Sequence, residues 1–462
     1  MRIATIAVTA IAIIAAAAMQ IAAIAMECLE GRSVVHLENA SLLGPSSFQR
    51  KSLSFGEDSP IDHDCEKLSQ DVVRSKVLSS IKVVVLSTKI NLLMPFGPMA
   101  ILVDNLFDSH GLVFLFCLLG IIPLAERLGY TTEQLALFTG PAVGGLLYAT
   151  FGNATELIIS IHALKSGLIH LVQQSLLGSI LSNLLLVLGC ALFAGGVVFY
   201  KREQAFNRTD TTVDFGLLLM AVMGLIFPAV LHATHTELEN EKSELNLSRF
   251  TSCIMLVAYV CYIVFQVKSQ KNLQALVEED GGLSKETSDD EEVPEISMWE
   301  SMIWLAILTG GISVLSEYLV KTIEGASKEL KMPMAFLSVI LLPIVGNAAE
   351  HAGSVMFAVK DKLELSLEVA VGSSIQISMF LIPFCVVFGW MIDCPMDLNF
   401  QPFETTSLFM SVIIVAFLLH NGTSNYFKGI MLILCYLIVS ASFYVHTDPA
   451  PIGENNQFTA DP

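Results

Sequence analysis

Two five-residue motifs, each with a glutamate inside a long apolar run, constrain this chain more than any other feature. Gly152-Asn153-Ala154-Thr155-Glu156 is matched 194 positions later by Gly346-Asn347-Ala348-Ala349-Glu350. Leu177-Gly178-Ser179-Ile180 and Val371-Gly372-Ser373-Ser374 keep the same 194-residue offset. A weaker echo precedes each copy, Leu124-Ala125-Glu126-Arg127-Leu128 against Leu315-Ser316-Glu317-Tyr318-Leu319. A carboxylate in such a run costs several kcal/mol unless it is paired, protonated or facing a wet cavity. The duplication therefore bears on fold and chemistry together.

The runs around these motifs are long enough to cross a bilayer core of about 30 Å. They lie near 83–104, 110–126, 133–163, 171–199, 212–234, 250–267, 300–323, 333–359, 366–391, 405–420 and 427–446. Only 15% of residues are charged and 53% are apolar, whereas a soluble domain carries about 25% charge. The expected fold is an all-α polytopic membrane protein with about eleven transmembrane helices. The motif copies stand five spans apart, an odd number, so the second copy crosses in the opposite sense. Spans 2–6 and 7–11 form two inverted five-helix repeats, with one extra N-terminal helix in front.

The corresponding division is 1–80, 81–267, 268–299, 300–446 and 447–462. Residues 3–26 are an Ala/Ile run behind Arg2. It reads as a signal-like segment, an extra membrane helix or a poorly packed Ala-rich helix. Residues 27–80 form a polar tail without a core of its own. If that tail is cytosolic, sixteen Lys/Arg fall on its side, among them Arg127, Lys201, Arg202, Arg208, Lys360, Lys362 and Lys428. Six fall opposite, namely Lys165, Lys242, Arg249, Lys321, Lys328 and Lys331. This bias orients the bundle.

Segment 278–295 holds nine acids and one base, Lys285. It is expected to be extended and solvated, as a spacer between halves or as a cytosolic cation-attracting loop. A net charge of −19 makes nucleic acid an unsuitable partner and cations suitable ones. The nine cysteines form no CxxC pair and read as packed thiols. No phosphate loop, nucleophile elbow or zinc-protease motif stands in a credible context. The chain is accordingly expected to be no enzyme and to use no cofactor.

The site chemistry follows from the two glutamates. Hard cations such as Ca²⁺ take six to eight oxygens. Asn153 and Asn347 each precede their glutamate by three residues, which places amide and acid on one helix face. Span 133–163 would be about 46 Å long as ideal helix. Breaks are expected at Gly152-Asn153 and at Gly346-Asn347, just after Pro343, and broken backbone at membrane depth needs a cavity or a protein surround. The cation- and proton-binding set is thus Glu156, Glu350, Asn153 and Asn347. Gly152, Gly346, Ser179, Ser182, Ser373, Ser374 and Gln376 are secondary ligands or packing residues. His351 turns about 100° from Glu350 on a helix. His232 and His235 lie near Glu237 and Glu239 as a metal-binding, pH-sensing or capping cluster.

Several stretches carry a resemblance. PLAERLGYTTEQLALFTGP (123–141), GNATELIISIHALKSG (152–167), LLGSILSNLLLVLGC (176–190), ILLPIVGNAAEHAG (340–353) and GSSIQISMFLIPF (372–384) resemble the cation/proton exchanger family of plant and fungal vacuoles. The segment 234–259 is similar to a plant subgroup thought to carry Mn²⁺ besides Ca²⁺. The resemblance covers roughly residues 80–450. It implies an eleven-span bundle in the vacuolar membrane that loads cytosolic Ca²⁺ in exchange for protons, with Glu156 and Glu350 as the shared carboxylates. Ca²⁺, H⁺ and membrane lipid are the expected partners, with Mn²⁺ and a homo-oligomer left open. A Na⁺-coupled exchanger and a non-transporting cation-binding scaffold are the alternatives. The chain departs from the family at Tyr148, usually Asn, at Ala142, usually Thr, and at Glu368, usually Gly. Tyr148 is expected to narrow the cation path.

Overall fold

The computed structural model describes residues 80–85, 87–107, 109–234, 242–279 and 294–446. The Ala/Ile run, nearly all of the polar tail, most of the acidic loop and the C-terminal tail lie outside the described residues. Twelve helices and one small ribbon make up the labelled framework. They are α1 (Phe96–Leu106), α2 (His110–Phe151), α3 (Ala154–Lys165), α4 (Ile169–Val198), α5 (Arg208–Thr234), α6 (Lys242–Glu279) and α7 (Met298–Leu330). There follow α8 (Met334–Gly346), α9 (Ala348–Val359), α10 (Leu363–Met391), α11 (Pro402–Leu419) and α12 (Tyr426–Val445). Strands β1 (Gln204–Ala205) and β2 (Thr423–Ser424) pair antiparallel.

Eight of the described helices are long and apolar enough to cross a membrane, and the bent pair α8–α9 brings the number to nine. The expected eleven is not reproduced, for two local reasons. The first span, 83–104, is broken into a helical end at residues 80–85, a tight 3₁₀ segment Lys89–Leu93 and α1. Pro95 sits at the cap of α1 and cannot donate a backbone hydrogen bond. With 11 residues, α1 covers only about half of the hydrocarbon core.

The boundary expected near 127–132 is also displaced. Helical turns run unbroken through it, because Thr131 and Thr132 return their hydroxyls to the carbonyls of Arg127 and Leu128 at 3.0 and 2.8 Å. The membrane-length part of α2 ends at Thr139, and the chain bends back on itself between Ala136 and Gly144. A Cβ at Gly144 would lie 3.1 Å from the Ala136 Cβ, whereas a straight helix holds such positions about 12 Å apart. The third span is therefore the last part of α2, ending at Phe151, followed by α3.

Helix α4 is the central element, with 94% of its apolar window buried, against 72% for α10 and 17% for α6. The low value for α6 leaves it facing lipid. Gly178 lets α4 touch α8 backbone to backbone, since a Cβ there would stand 2.2 Å from the Val339 carbonyl oxygen. Around this core the loop contacts sort onto two faces. On one, Ser109, His110 and Gly111 cap onto Glu329, Gln173 reaches Asp397 and Gln174 reaches Glu404. On the other, Arg202 pairs with Asp361, Asn207 with Glu364 and Tyr130 with Glu295. These sets agree with the two sides that the Lys/Arg bias separates.

A methyl group at Gly178 has nowhere to go but into backbone. Gly178→Ala should destabilise the protein by about 1–3 kcal/mol through overpacking, read as a lowered thermal unfolding midpoint in detergent. An unchanged midpoint would show that the α4–α8 crossing is looser than described.

Candidate functional site

Both motif helices are broken at their asparagine. Asn153 separates α2 from α3 with φ −107° and ψ 27°, and Asn347 separates α8 from α9 with φ −87° and ψ 15°. The α8–α9 bend is 55°. Pro343 contributes to it by withholding one donor from the ladder. The two breaks leave Glu156 and Glu350 in the first turns of α3 and α9. Facing helices carry π turns, over Ser182–Val187 in α4 and over Glu368–Gly372 and Ile377–Leu381 in α10, and α8 has another over Leu337–Leu341. The 194-residue offset carries Asn183–Val187 onto Ile377–Leu381. Such turns commonly mark functional sites.

The repeats meet crosswise. Asn153 of the first motif donates its amide to Gln376 Oε1 at 2.8 Å, and Ser373 lies 2.8 Å from Asn153 Oδ1. Asn347 of the second motif donates to the Ser179 carbonyl at 3.4 Å. Gly346 admits the Glu156 carboxylate across this junction, because a Cβ there would lie 2.6 Å from Oε1. A cavity about the size of one water molecule opens beside Glu156, lined by Ile159, Ser175, Ser179, Leu342, Pro343 and Gly346. A larger apolar groove between α11 and α12, at Phe403 and Ile438, has neither carboxylate in its lining.

Neither glutamate has a Lys or Arg partner among the described residues. The two carboxyl groups are close enough to feel each other's charge. Four acceptor oxygens around them are buried without a hydrogen-bond donor, Glu156 Oε1, Glu350 Oε2, Asn347 Oδ1 and Asn183 Oδ1, against two amide nitrogens without an acceptor, Asn183 Nδ2 and Gln376 Nε2. An orphaned buried acceptor costs about 1–3 kcal/mol, so four together describe a place that wants positive charge. No group of three or more His, Cys, Asp or Glu among the described residues could hold a metal. Amide, hydroxyl and backbone oxygens must complete any cation shell here.

Ser373 Oγ stands 2.7 Å from Glu350 Oε1 as well as 2.8 Å from Asn153 Oδ1. A hydroxyl has one hydrogen, so the chain Glu350–Ser373–Asn153–Gln376 has a direction. With Glu350 protonated, the donors run from Glu350 to Ser373, to Asn153, to Gln376. With Glu350 ionised, both amides flip and the donors run back toward the carboxylate. Either direction satisfies every link, so the chain can follow a proton or cation at Glu350 without breaking.

The structure thus joins Asn153, Glu350, Ser373 and Gln376 in one chain and places Glu156, Gly346, Ser179 and Asn347 at the adjoining half-site. Gly152 lies at the α2–α3 break. Ser182 instead lies buried beside Tyr436, and Ser374 bonds back to the Ala370 carbonyl at 2.8 Å. His351 is fixed by donating Nδ1–H to the Asn347 carbonyl at 2.7 Å. His232 pairs with Glu244 at 3.0 Å, while its expected neighbours His235, Glu237 and Glu239 lie outside the described residues. Glu368 is near Asp214 and Tyr262, away from the carboxylate pair. The side chains of Ala142 and Tyr148 are outside the described set. Asn183, which faces Glu350, escaped the sequence reading. Its counterpart in the second repeat is Ile377, so comparing the copies hid it.

Fold and site together define a multi-span membrane protein of the duplicated, broken-helix exchanger class. The family model described as sodium/calcium exchanger protein matches residues 109–268 and 300–445, and the chain belongs to that family. It is 63% identical over 401 residues to vacuolar cation/proton exchanger 5 of Arabidopsis thaliana, covering 87% of this chain and 91% of that one. It is 63% identical over 385 residues to vacuolar cation/proton exchanger 2 of Oryza sativa subsp. japonica, covering 83% and 88%. A solved structure of YfkE, which is described as a Ca²⁺/H⁺ antiporter, matches with 31% identity and a TM-score of 0.62 over 77% of this chain and 98% of that one.

The hydrogen-bonded chain makes Asn153 and Ser373 energetically dependent. In a double-mutant cycle of Asn153→Ala and Ser373→Ala, thermal unfolding should give a coupling of roughly 0.5–3 kcal/mol. A cycle pairing Asn153→Ala with Ser374→Ala should give none.

Proposed function

We propose that this chain is a secondary antiporter that moves cytosolic Ca²⁺ into the vacuole in exchange for protons, as the names of its relatives suggest for them. The observation that carries this reading is the pair Glu156 and Glu350 at the repeat junction, Glu156 buried and Glu350 half-buried, each with an oxygen that no donor reaches and with no basic partner among the described residues. Two adjacent anions in an apolar interior are too costly to persist alone. Two protons remove the charge, and one dication balances it. The two ligands therefore compete for the same oxygens, and that competition couples their fluxes.

The cycle follows from this exclusion. Cytosolic Ca²⁺ displaces protons from both carboxyls and gathers oxygens from Glu156, Glu350, Asn347 and Asn183. Ser373, Asn153 and Gln376 reverse their donor direction to support the ionised Glu350. Rearrangement of the halves about the broken helices exposes the pair to the lumen, where acid reprotonates the carboxylates and releases the cation. Mn²⁺ suits the same hard oxygen set and is proposed as a second cargo. A sodium-coupled cycle is the competing reading, prompted by the family's description.

The deciding measurement is Ca²⁺ uptake into acid-loaded vesicles. Glu156→Gln and Glu350→Gln should each abolish uptake while the protein still folds and inserts, and retention of more than half the parental rate would overturn the paired-carboxylate reading. Uptake driven by a Na⁺ gradient with no pH gradient would favour the sodium cycle. Lowering the external pH adds protons to the shared carboxylates and must weaken Ca²⁺ binding. On the acid side, apparent affinity should fall by about one to two log units per pH unit, one per displaced proton. A flat profile would separate proton from cation sites.

A further inference from the structure

Three loops on the face that the Lys/Arg bias assigns to the cytosol are tied into one platform. The ribbon pairs Gln204 with Ser424 and Ala205 with Thr423. Gln204 Nε2 reaches across to the Ala358 carbonyl and to Asp361 Oδ1, both at 3.0 Å. The loops after α4, after α9 and after α11 are thereby fixed against each other.

The acids on this platform all have donors close by. Asp361 is ion-paired with Arg202, and Glu203 accepts from Asn425 at 3.2 Å. Asn207 supplies Glu364 through its backbone N–H at 3.0 Å and Asp210 through its amide at 2.6 Å. The bases are less well matched. Lys201, Lys360 and Lys362 are exposed and form no ion pair with a described acid, and Arg208 meets only the His420 ring nitrogen, at 3.1 Å. Lys428 donates to the Thr423 carbonyl at 2.7 Å. At the helix ends six Lys/Arg thus stand with these four acids, while Asp214 and Glu368 lie one turn deeper beside Asp210, in a chain whose net charge is −19.

The platform also lies at the level of the membrane surface. Its bases are within a few residues of the ends of α4, α5, α9, α10 and α12. Aromatic rings stand out beside them: Tyr200 is 70% exposed, Phe427 60% and Tyr426 48%. The Lys201 ammonium sits 5.6 Å from the Tyr200 ring centre. Exposed aromatic rings at span ends belong at the headgroup level, and basic groups there attract anionic lipid.

We propose that this platform binds the phosphorylated headgroup of an anionic lipid in the cytosolic leaflet, with Lys201, Lys360 and Lys362 as the main phosphate contacts. Each base near a charged headgroup is worth about fivefold in affinity. The test uses the full chain in detergent and a soluble dioctanoyl phosphatidylinositol bisphosphate, titrated by thermophoresis. Binding should saturate, weaken with salt, and fall roughly 100-fold in Lys201→Gln/Lys360→Gln/Lys362→Gln. The opposite-face variant Lys165→Gln/Lys328→Gln/Lys331→Gln should bind as the parent does. Equal loss in both variants, or no saturable binding by the parent, overturns the proposal. Free inositol bisphosphate is the second arm. If it binds as tightly as the lipid, the platform is a site for soluble phosphates and the lipid assignment is wrong.

Discussion

Two carboxyl groups with no counter-charge among the described residues, brought together at the repeat junction, are the interaction on which the rest of this structure depends. Glu156 and Glu350 come from different repeats, and each has an oxygen buried without a donor. Such a pair persists only when protons or a cation attend it. The breaks at Asn153 and Asn347, the glycine at 346 and the close crossing at Gly178 all bring these two groups and their neighbours within reach. The same expense that makes the site unstable when empty makes it an exchanger when filled.

The duplication supplies the framework and its departures supply the chemistry. Both copies give a broken helix, a first-turn glutamate and a π turn on the facing helix. Only one half presents a hydroxyl–amide chain, from Glu350 through Ser373 and Asn153 to Gln376. Its symmetry mate would run through Ser179, Asn347 and Ser182, but Ser182 packs beside Tyr436 and Asn347 donates to a backbone carbonyl instead. Glu156 is left with the water-sized cavity and the Gly346 approach. The two half-sites therefore offer the same charge but different hydrogen-bond support.

The sequence by itself determined the membrane class, the repeat, the paired glutamates and the positions of both helix breaks. Each of these follows from local facts: apolar length, a constant offset, charge in an apolar run, and Gly-Asn or proline punctuation. The first span and the 127–132 boundary were misplaced for equally local reasons. Pro95 interrupts an apolar run, and Thr131 and Thr132 satisfy themselves inside a helix. Only the tertiary structure decided which polar residues join the site. Ser373 and Ser374 are neighbours in the chain, yet one reaches across the repeats and the other bonds back along its own helix. Asn183 gave no repeat signal at all. Contacts across the junction depend on how four separate helices are rotated and where a π turn shifts their faces, and no spacing along one helix encodes that.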